Sequence, residues 1–454
     1  MQQAHPANTP EEQPQLLRAL GLWETTAIAM GIMIGTAVFI VPAEITREVG
    51  SPRAALAVWA VGGVLSLFGA LSFAELAAMM PQAGGQYVYL REAYGSLVAF
   101  LCGWTFFLAA QSGGISVLAV GFAQYLGEFF PLSPWQQKAA AAASILLFTA
   151  INYRGVREGG IVQSLLTGLK VGAIVALISL GYLLVNGPPQ GVAALPAPTG
   201  TGFVASFGVA MVAALWAYEG WNTCTFAAGE VKRPERNLPL ALILGTAGVI
   251  VIYLGLNLVY YHVLTLPEIA QSPRVAADAA VRIFGRVGSY LVALAIIIST
   301  LGSINGSVLA APRVYYAMAQ DGLFFRWCAA VHPRYRTPHL ALLLQGGWAV
   351  LLVAWGTYEQ LFTYVVFVAW VFYALTAFAV IVLRRKMPDL PRPYRVSGYP
   401  FVPIGFVLAA TWFLANALIE RPVESGIGSL IVLLGIPVYL IWRRRLATGA
   451  TKGK

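Results

Sequence analysis

The chain has 454 residues, of which 58% are hydrophobic and 11% charged, with a net charge of +10. A soluble domain carries about 25% charged residues, and apolar runs recur from end to end, so a soluble domain is excluded. The positive balance falls in the loops between apolar segments, which reads as membrane topology rather than as a nucleic-acid surface.

In chain order, the sequence predicts a tail over residues 1–20, a single transmembrane domain over 21–446 and a second tail over 447–454. Residues 1–20 carry Glu11 and Glu12 and lack a signal-peptide pattern. Twelve spans are expected at about 22–49, 54–80, 96–128, 134–152, 159–186, 201–229, 237–264, 287–319, 339–356, 359–384, 400–418 and 424–443. With the N-terminus placed in the cytoplasm, inward loops and tails hold 21 Lys and Arg, outward loops hold 7, and Lys170 lies within a span. That asymmetry follows the positive-inside rule and puts both termini in the cytoplasm.

The first span is interrupted at Ile34-Gly35-Thr36-Ala37-Val38, and the sixth at Trp216-Ala217-Tyr218-Glu219-Gly220. Lipid cannot satisfy the N–H and C=O groups freed at such a break, so both must be covered by protein or line a wet cavity. Breaks in matching halves point to a transporter's binding site. Spans 1–5 and 6–10 read as two halves of five; five is odd, so the halves enter the membrane from opposite sides. Gly35, Thr36, Ala37 and Val38 open the outer half-helix, whose N–H groups attract a carboxylate. Carbonyls around Trp216, Ala217 and Tyr218 can accept from an ammonium group, with Trp216 and Trp221 as apolar wall or lid.

Two charges lie at membrane depth, where an ionisable group must pair, protonate or act. Glu219 reads as the partner of a substrate cation, as a proton carrier or as a structural pair. Lys170 reads as a fixed cation in place of a sodium ion, as a proton carrier or as a structural link. Glu75 reads as a helix brace. Gly302, Ser303, Gly306 and Ser307 read as a close-packing face. The segments 81–89 and 324–338 are expected to lie on the surface or re-enter, and Pro188, Pro189, Pro196 and Pro198 mark an outward loop. The cysteines at 102, 224 and 328 form no disulfide framework, and no metal or cofactor motif is present. A membrane enzyme lacks an activated nucleophile. A transport-dead receptor lacks a signalling domain.

With those residues in view, the chain resembles the amino acid–polyamine–organocation (APC) superfamily, and within it the L-type amino acid transporters and their bacterial homologues. The resemblance rests on Ile34–Phe39, Ser72-Phe73-Ala74-Glu75-Leu76, Gly84-Gly85-Gln86-Tyr87, Gly220-Trp221-Asn222, Glu230–Pro239, Gly302–Ser307, Arg313, His332-Pro333 and Pro422–Gly428. It implies an all-α polytopic membrane protein with a LeuT-like 5+5 inverted repeat, helices 1 and 6 broken. It implies a sodium-independent transporter of amino acids, a probable exchanger, in a bacterial inner membrane. It further implies carboxylate binding at Thr36, Ala37 and Val38, amine binding at the carbonyls of Ile34, Trp216, Ala217 and Glu219, and an outer gate at Trp216. Lys170 corresponds to the family's helix 5 lysine and is expected to reach helix 1 near Gly31. Ala37 and Glu219 stand where relatives often have glycine, so small neutral substrates are expected, with proton-coupled or cationic-substrate transport as the alternative. The 131–135 stretch lacks the cysteine that bonds animal members to a heavy chain, so no such partner is expected.

Overall fold

The computed structural model describes residues 15–187, 200–355, 358–420 and 422–451. The proline-marked loop at 188–198, Glu11, Glu12 and the last residues of the C-terminal tail lie outside them. Among the described residues every regular element is helical, apart from one parallel bridge between Leu20 and Val231.

Helices α1 (Leu22–Met33) and α2 (Ala37–Val49) precede α3 (Pro52–Met79), α4 (Gln86–Tyr94) and α5 (Ser96–Thr105). A π-turn at Phe106–Ala110 joins α5 to α6 (Gln111–Leu126), followed by α7 (Pro134–Arg154), α8 (Val156–Leu184) and α9 (Thr201–Ala217). A turn and a 3-10 segment, Thr223–Glu230, lead to α10 (Pro234–Val263), α11 (Leu266–Gln271) and α12 (Val275–Phe284). Then come α13 (Val287–Ala310), α14 (Pro312–Gln320), a 3-10 turn at Arg326–Ala329, α15 (His339–Trp355), α16 (Tyr358–Lys386), α17 (Phe401–Glu420) and α18 (Pro422–Thr451).

Seven of these stretches are long and apolar enough to cross a membrane, and α1 with α2 pass the same test as one pair bent by 44°. The protein is therefore a multi-pass membrane protein. The expected span at 201–229 does not continue as one α-helix. It ends at Ala217 and resumes as the 3-10 segment. The expected span at 287–319 runs as one apolar stretch, Val287–Gln320, marked only by a one-residue turn at Ala311 before Pro312, which has no N–H to continue the ladder.

Local chemistry sets the ends. Pro52 and Pro134 occupy first-turn positions of α3 and α7, where a missing N–H costs nothing. Inside the bundle α1 packs on α8, α10 and α13, α2 on α9, and α13 on α6 and α8. Helix α4 is neither lipid-facing nor laid on the surface. Tyr87, Tyr89 and Leu90 are buried, and the Gly84 N–H donates to the Phe226 carbonyl at 2.9 Å.

Buried charges brace the end of the bundle where α1 begins. Arg313 and Glu230 are both fully buried and pair twice, Nε to Oε2 at 2.5 Å and Nη2 to Oε1 at 2.9 Å. Glu75 accepts from Arg384 at 2.8 and 2.6 Å and from the Val396 N–H at 2.7 Å, so it ties α3 to α16 and the loop after it. Cys102, Cys224 and Cys328 are buried free thiols.

Candidate functional site

The two breaks face each other. After Met33 the chain leaves α1 through Ile34, Gly35 and Thr36, and α2 begins at Ala37 with Thr36 at its N-cap position. The first N–H groups of a helix have no partner within it, so this end presents donors. After Ala217 the chain turns, with the Glu219 N–H bonded to the Trp216 carbonyl at 3.0 Å. Gly220 follows with φ +109°, a conformation that L side chains rarely adopt. A Cβ there would also lie 2.6 Å from Ile32 Cγ2, so one glycine permits both the turn and the close approach of α1. Tyr253 of α10 seals the pair from behind. Its hydroxyl sits 2.7 Å from the Met33 carbonyl and 3.0 Å from the Ala217 carbonyl, with one hydrogen to give between them.

A cavity of about 120 Å³ lies between the breaks. Of the expected ligand-binding residues, Gly35, Thr36, Ala37, Trp216, Ala217 and Glu219 line it. Three do not. The Ile34 side chain is buried, and its carbonyl accepts from Lys170 Nζ at 2.8 Å and Ser299 Oγ at 2.6 Å. A carbonyl has two lone pairs, so Ile34 has none left for a substrate amine. Val38 is buried one residue further into α2, outside the cavity lining. Tyr218 turns its ring away, toward Trp59 and Tyr253, and its hydroxyl donates to the Trp59 carbonyl at 3.1 Å. Trp221, expected as wall or lid, is also absent from the lining. It packs edge-on against Phe73 at 4.8 Å and Phe406 at 6.0 Å.

Other lining residues are Thr223, at the start of the 3-10 segment, and Gln111, Gly114, Ser307 and Tyr373, from helices distant in sequence. Gln111 opens α6 immediately after the π-turn, and Gly114 follows one helical turn later on the same face. A glutamine in the middle of an apolar span was the available signal for the first. Nothing local marks Tyr373, which lies inside a long aromatic run.

Lys170 is buried and does not snorkel. Its Nζ donates to three carbonyls: Gly31 at 2.8 Å, Ile34 at 2.8 Å and Ser299 at 2.7 Å. The first two are carbonyls at the end of α1, where the helix leaves acceptors unsatisfied and carries partial negative charge. Gly302 makes room for the ammonium, since a Cβ there would meet Nζ at 3.1 Å. Ser303 Oγ donates to Gly31 at 2.8 Å and completes the cluster. The stretch 302–307 is thus more than a packing face, because Ser303 bonds the broken helix and Ser307 lines the cavity.

Glu219 reaches into the cavity, and its Oε1 accepts from the Tyr373 hydroxyl at 3.2 Å. It takes part in no ion pair among the described residues. Among those residues no group of three His, Cys, Asp or Glu side chains could hold a metal ion.

The chain matches the amino acid permease family over residues 20–442. It is 33% identical over 440 residues to the serine/threonine exchanger SteT of Bacillus subtilis, covering 96% of this chain and 99% of that protein. It is 32% identical over 451 residues to the mouse b(0,+)-type amino acid transporter 1, covering 96% and 92%. It is 30% identical over 443 residues to the human cystine/glutamate transporter, covering 96% and 88%. These relatives are transporters, not enzymes. A match across almost the whole chain, on a helical membrane scaffold with a cavity between two helix breaks, is conclusive: the chain belongs to the amino acid permease family of the APC superfamily, on its L-type amino acid transporter-like side.

Proposed function

We propose that the protein is a sodium-independent exchanger of small neutral amino acids that works by alternating access. One observation carries this reading: the cavity has helix N–H donors on one wall and the carbonyls and carboxylate of a second break on the other. A zwitterion needs that polarity. Its carboxylate sits at Thr36 and Ala37, at the N-terminus of α2. Its ammonium lies toward the Trp216 and Ala217 carbonyls and Glu219. Trp216 is the outer gate, an aromatic at the edge of the cavity that closes over the ligand.

Ala37 and Glu219 favour a small substrate, because each puts a side chain into the cavity wall. Exchange of serine and threonine is also what the name of the Bacillus subtilis relative states. Lys170 supports sodium independence, because a fixed ammonium bridges three carbonyls where a monovalent ion would need oxygen ligands.

The scaffold belonging to this reading is a LeuT-like repeat of five and five helices, with two further spans, twelve in all. Broken helix 1 is α1 with α2, and broken helix 6 is α9 with the 3-10 segment. The Lys and Arg distribution favours cytoplasmic termini in a bacterial inner membrane. The 131–135 stretch, without cysteine, favours action without a disulfide-linked heavy chain.

The test is uptake of labelled serine, threonine and alanine into proteoliposomes, loaded internally with the same amino acid or left empty. Exchange predicts uptake only into loaded vesicles, with sodium, potassium or choline outside. A second reading has its own support in Glu219, a carboxylate facing the cavity without a cation. Uptake into empty vesicles driven by a proton gradient, or of lysine and polyamines in preference to serine, selects that reading instead.

A further inference from the structure

A second cavity, about 520 Å³, opens where the chain enters α1. It is lined by Arg18, Arg157 and Lys232, together with Leu17, Glu24 and Ile161. The three cations come from three separate segments: the stretch before α1, the first turn of α8 and the link into α10. All three are exposed, and none forms an ion pair among the described residues. The one acid, Glu24, has an oxygen committed to the Gly21 N–H at 2.9 Å. Three cations against one carboxylate leave the cavity positive.

The surface beside it is apolar. Ile161, Leu165 and Leu169 of α8 are 54%, 61% and 48% exposed and stand at four-residue spacing, one stripe about 12 Å long. Trp23, 80% exposed, stands at the start of α1, the kind of position where tryptophan marks a membrane interface. Convergent cations at the foot of an apolar helical stripe match a phosphate joined to an acyl chain, and a soluble anion has no use for the stripe.

We infer that this cavity binds the phosphate of an anionic phospholipid, with its acyl chain along Ile161, Leu165 and Leu169. The headgroup then ties the stretch before α1 to the link after the 3-10 segment through Arg18 and Lys232, and both to α8 through Arg157. Basic pockets between membrane helices hold such headgroups, each nearby Lys or Arg contributing about fivefold in affinity.

The experiment uses the purified full-length protein in mild detergent, with phosphatidylglycerol and phosphatidylcholine of identical acyl chains in competition. Retained lipid is read by mass spectrometry of the intact complex. Wild type should retain phosphatidylglycerol in preference. The combined variant Arg18→Gln, Arg157→Gln and Lys232→Gln should lower that preference by roughly twenty- to one-hundredfold. Lys232→Gln alone should lower it about fivefold and guards against loss of folding in the combined variant. A control pair, Arg334→Gln with Arg395→Gln, should leave it intact. No preference in wild type, or equal preference in the combined variant, overturns the site. Displacement of the lipid by inorganic phosphate at matched concentration overturns the lipid assignment, because a bound acyl chain resists a soluble competitor.

Discussion

Lys170 and Gly31, 139 residues apart, are joined by a 2.8 Å hydrogen bond from the lysine Nζ to the glycine carbonyl. The same ammonium takes the Ile34 carbonyl from the far side of α1's end and the Ser299 carbonyl from α13. One cation therefore holds three helices at the point where the first of them breaks.

Lys170→Ala leaves those carbonyls short of a donor. Gly31 and Ile34 keep the bonds from Ser303 and Ser299, but three hydrogen bonds from a charged donor are lost, each worth about 1.5–3 kcal/mol, so thermal stability in detergent should drop and turnover should fall further than substrate binding. Exchange rates compared with binding by scintillation proximity check this. Native exchange should be unchanged when potassium or choline replaces sodium, and a sodium requirement removes the ion-substitute role.

Glu219→Gly and Tyr373→Phe separate two uses of the carboxylate. If Glu219 limits volume and orders the turn, Glu219→Gly should admit larger neutral amino acids, and Tyr373→Phe should shift the profile the same way, less strongly. If Glu219 is the counter-ion of a cationic side chain, Glu219→Gly should lose lysine and arginine selectively. Competition profiles across a panel of amino acids distinguish the outcomes, and an unchanged profile in both variants rejects either role.

Ala37→Leu should abolish transport while the protein remains extractable and monodisperse. Position 37 forms part of the cavity wall at the start of α2, beside the helix N–H groups, so a leucine there projects into the ligand's place. Trp216→Ala should instead raise the apparent KM while leaving folding intact. Wild-type kinetics for Trp216→Ala would reject the gate.

Arg313→Met should destabilise the fold by about 3–5 kcal/mol, since it strands the buried Glu230 carboxylate. Adding Glu230→Met should recover much of that loss, because a buried ion pair replaced by apolar side chains is often neutral. Denaturation midpoints of the two variants and the double variant form the test.

The sequence marked where α1 and α9 end. Glycine beside hydroxyl or carboxyl groups in bilayer-length apolar runs marked both, and the structure puts a cavity between them. Lys170 was legible for the same reason, as a charge with no route to the membrane surface. Side-chain direction was not. Tyr218 and Trp221 flank Glu219 closely in sequence but pack into the aromatic layer behind it, because a turn around a glycine at φ +109° sends neighbouring residues to different sides. Tyr373 and Gln111 reach the cavity only through tertiary packing, and the π-turn that precedes Gln111 leaves no mark in composition. The Ile34 carbonyl, which the resemblance implied as an acceptor for the substrate amine, accepts from Lys170 and Ser299.

The bridge between Leu20 and Val231 has a mechanical meaning. The Ala19 and Leu20 N–H groups donate to the Glu230 carbonyl at 2.9 and 3.0 Å, and the Lys232 N–H returns to the Leu20 carbonyl at 2.8 Å. All three are main-chain bonds within three residues of the start of α1. No side-chain substitution there removes a donor except proline, which has no N–H. The clasp is thus indifferent to drift in the surrounding side chains, and the work of parting it is set by peptide chemistry.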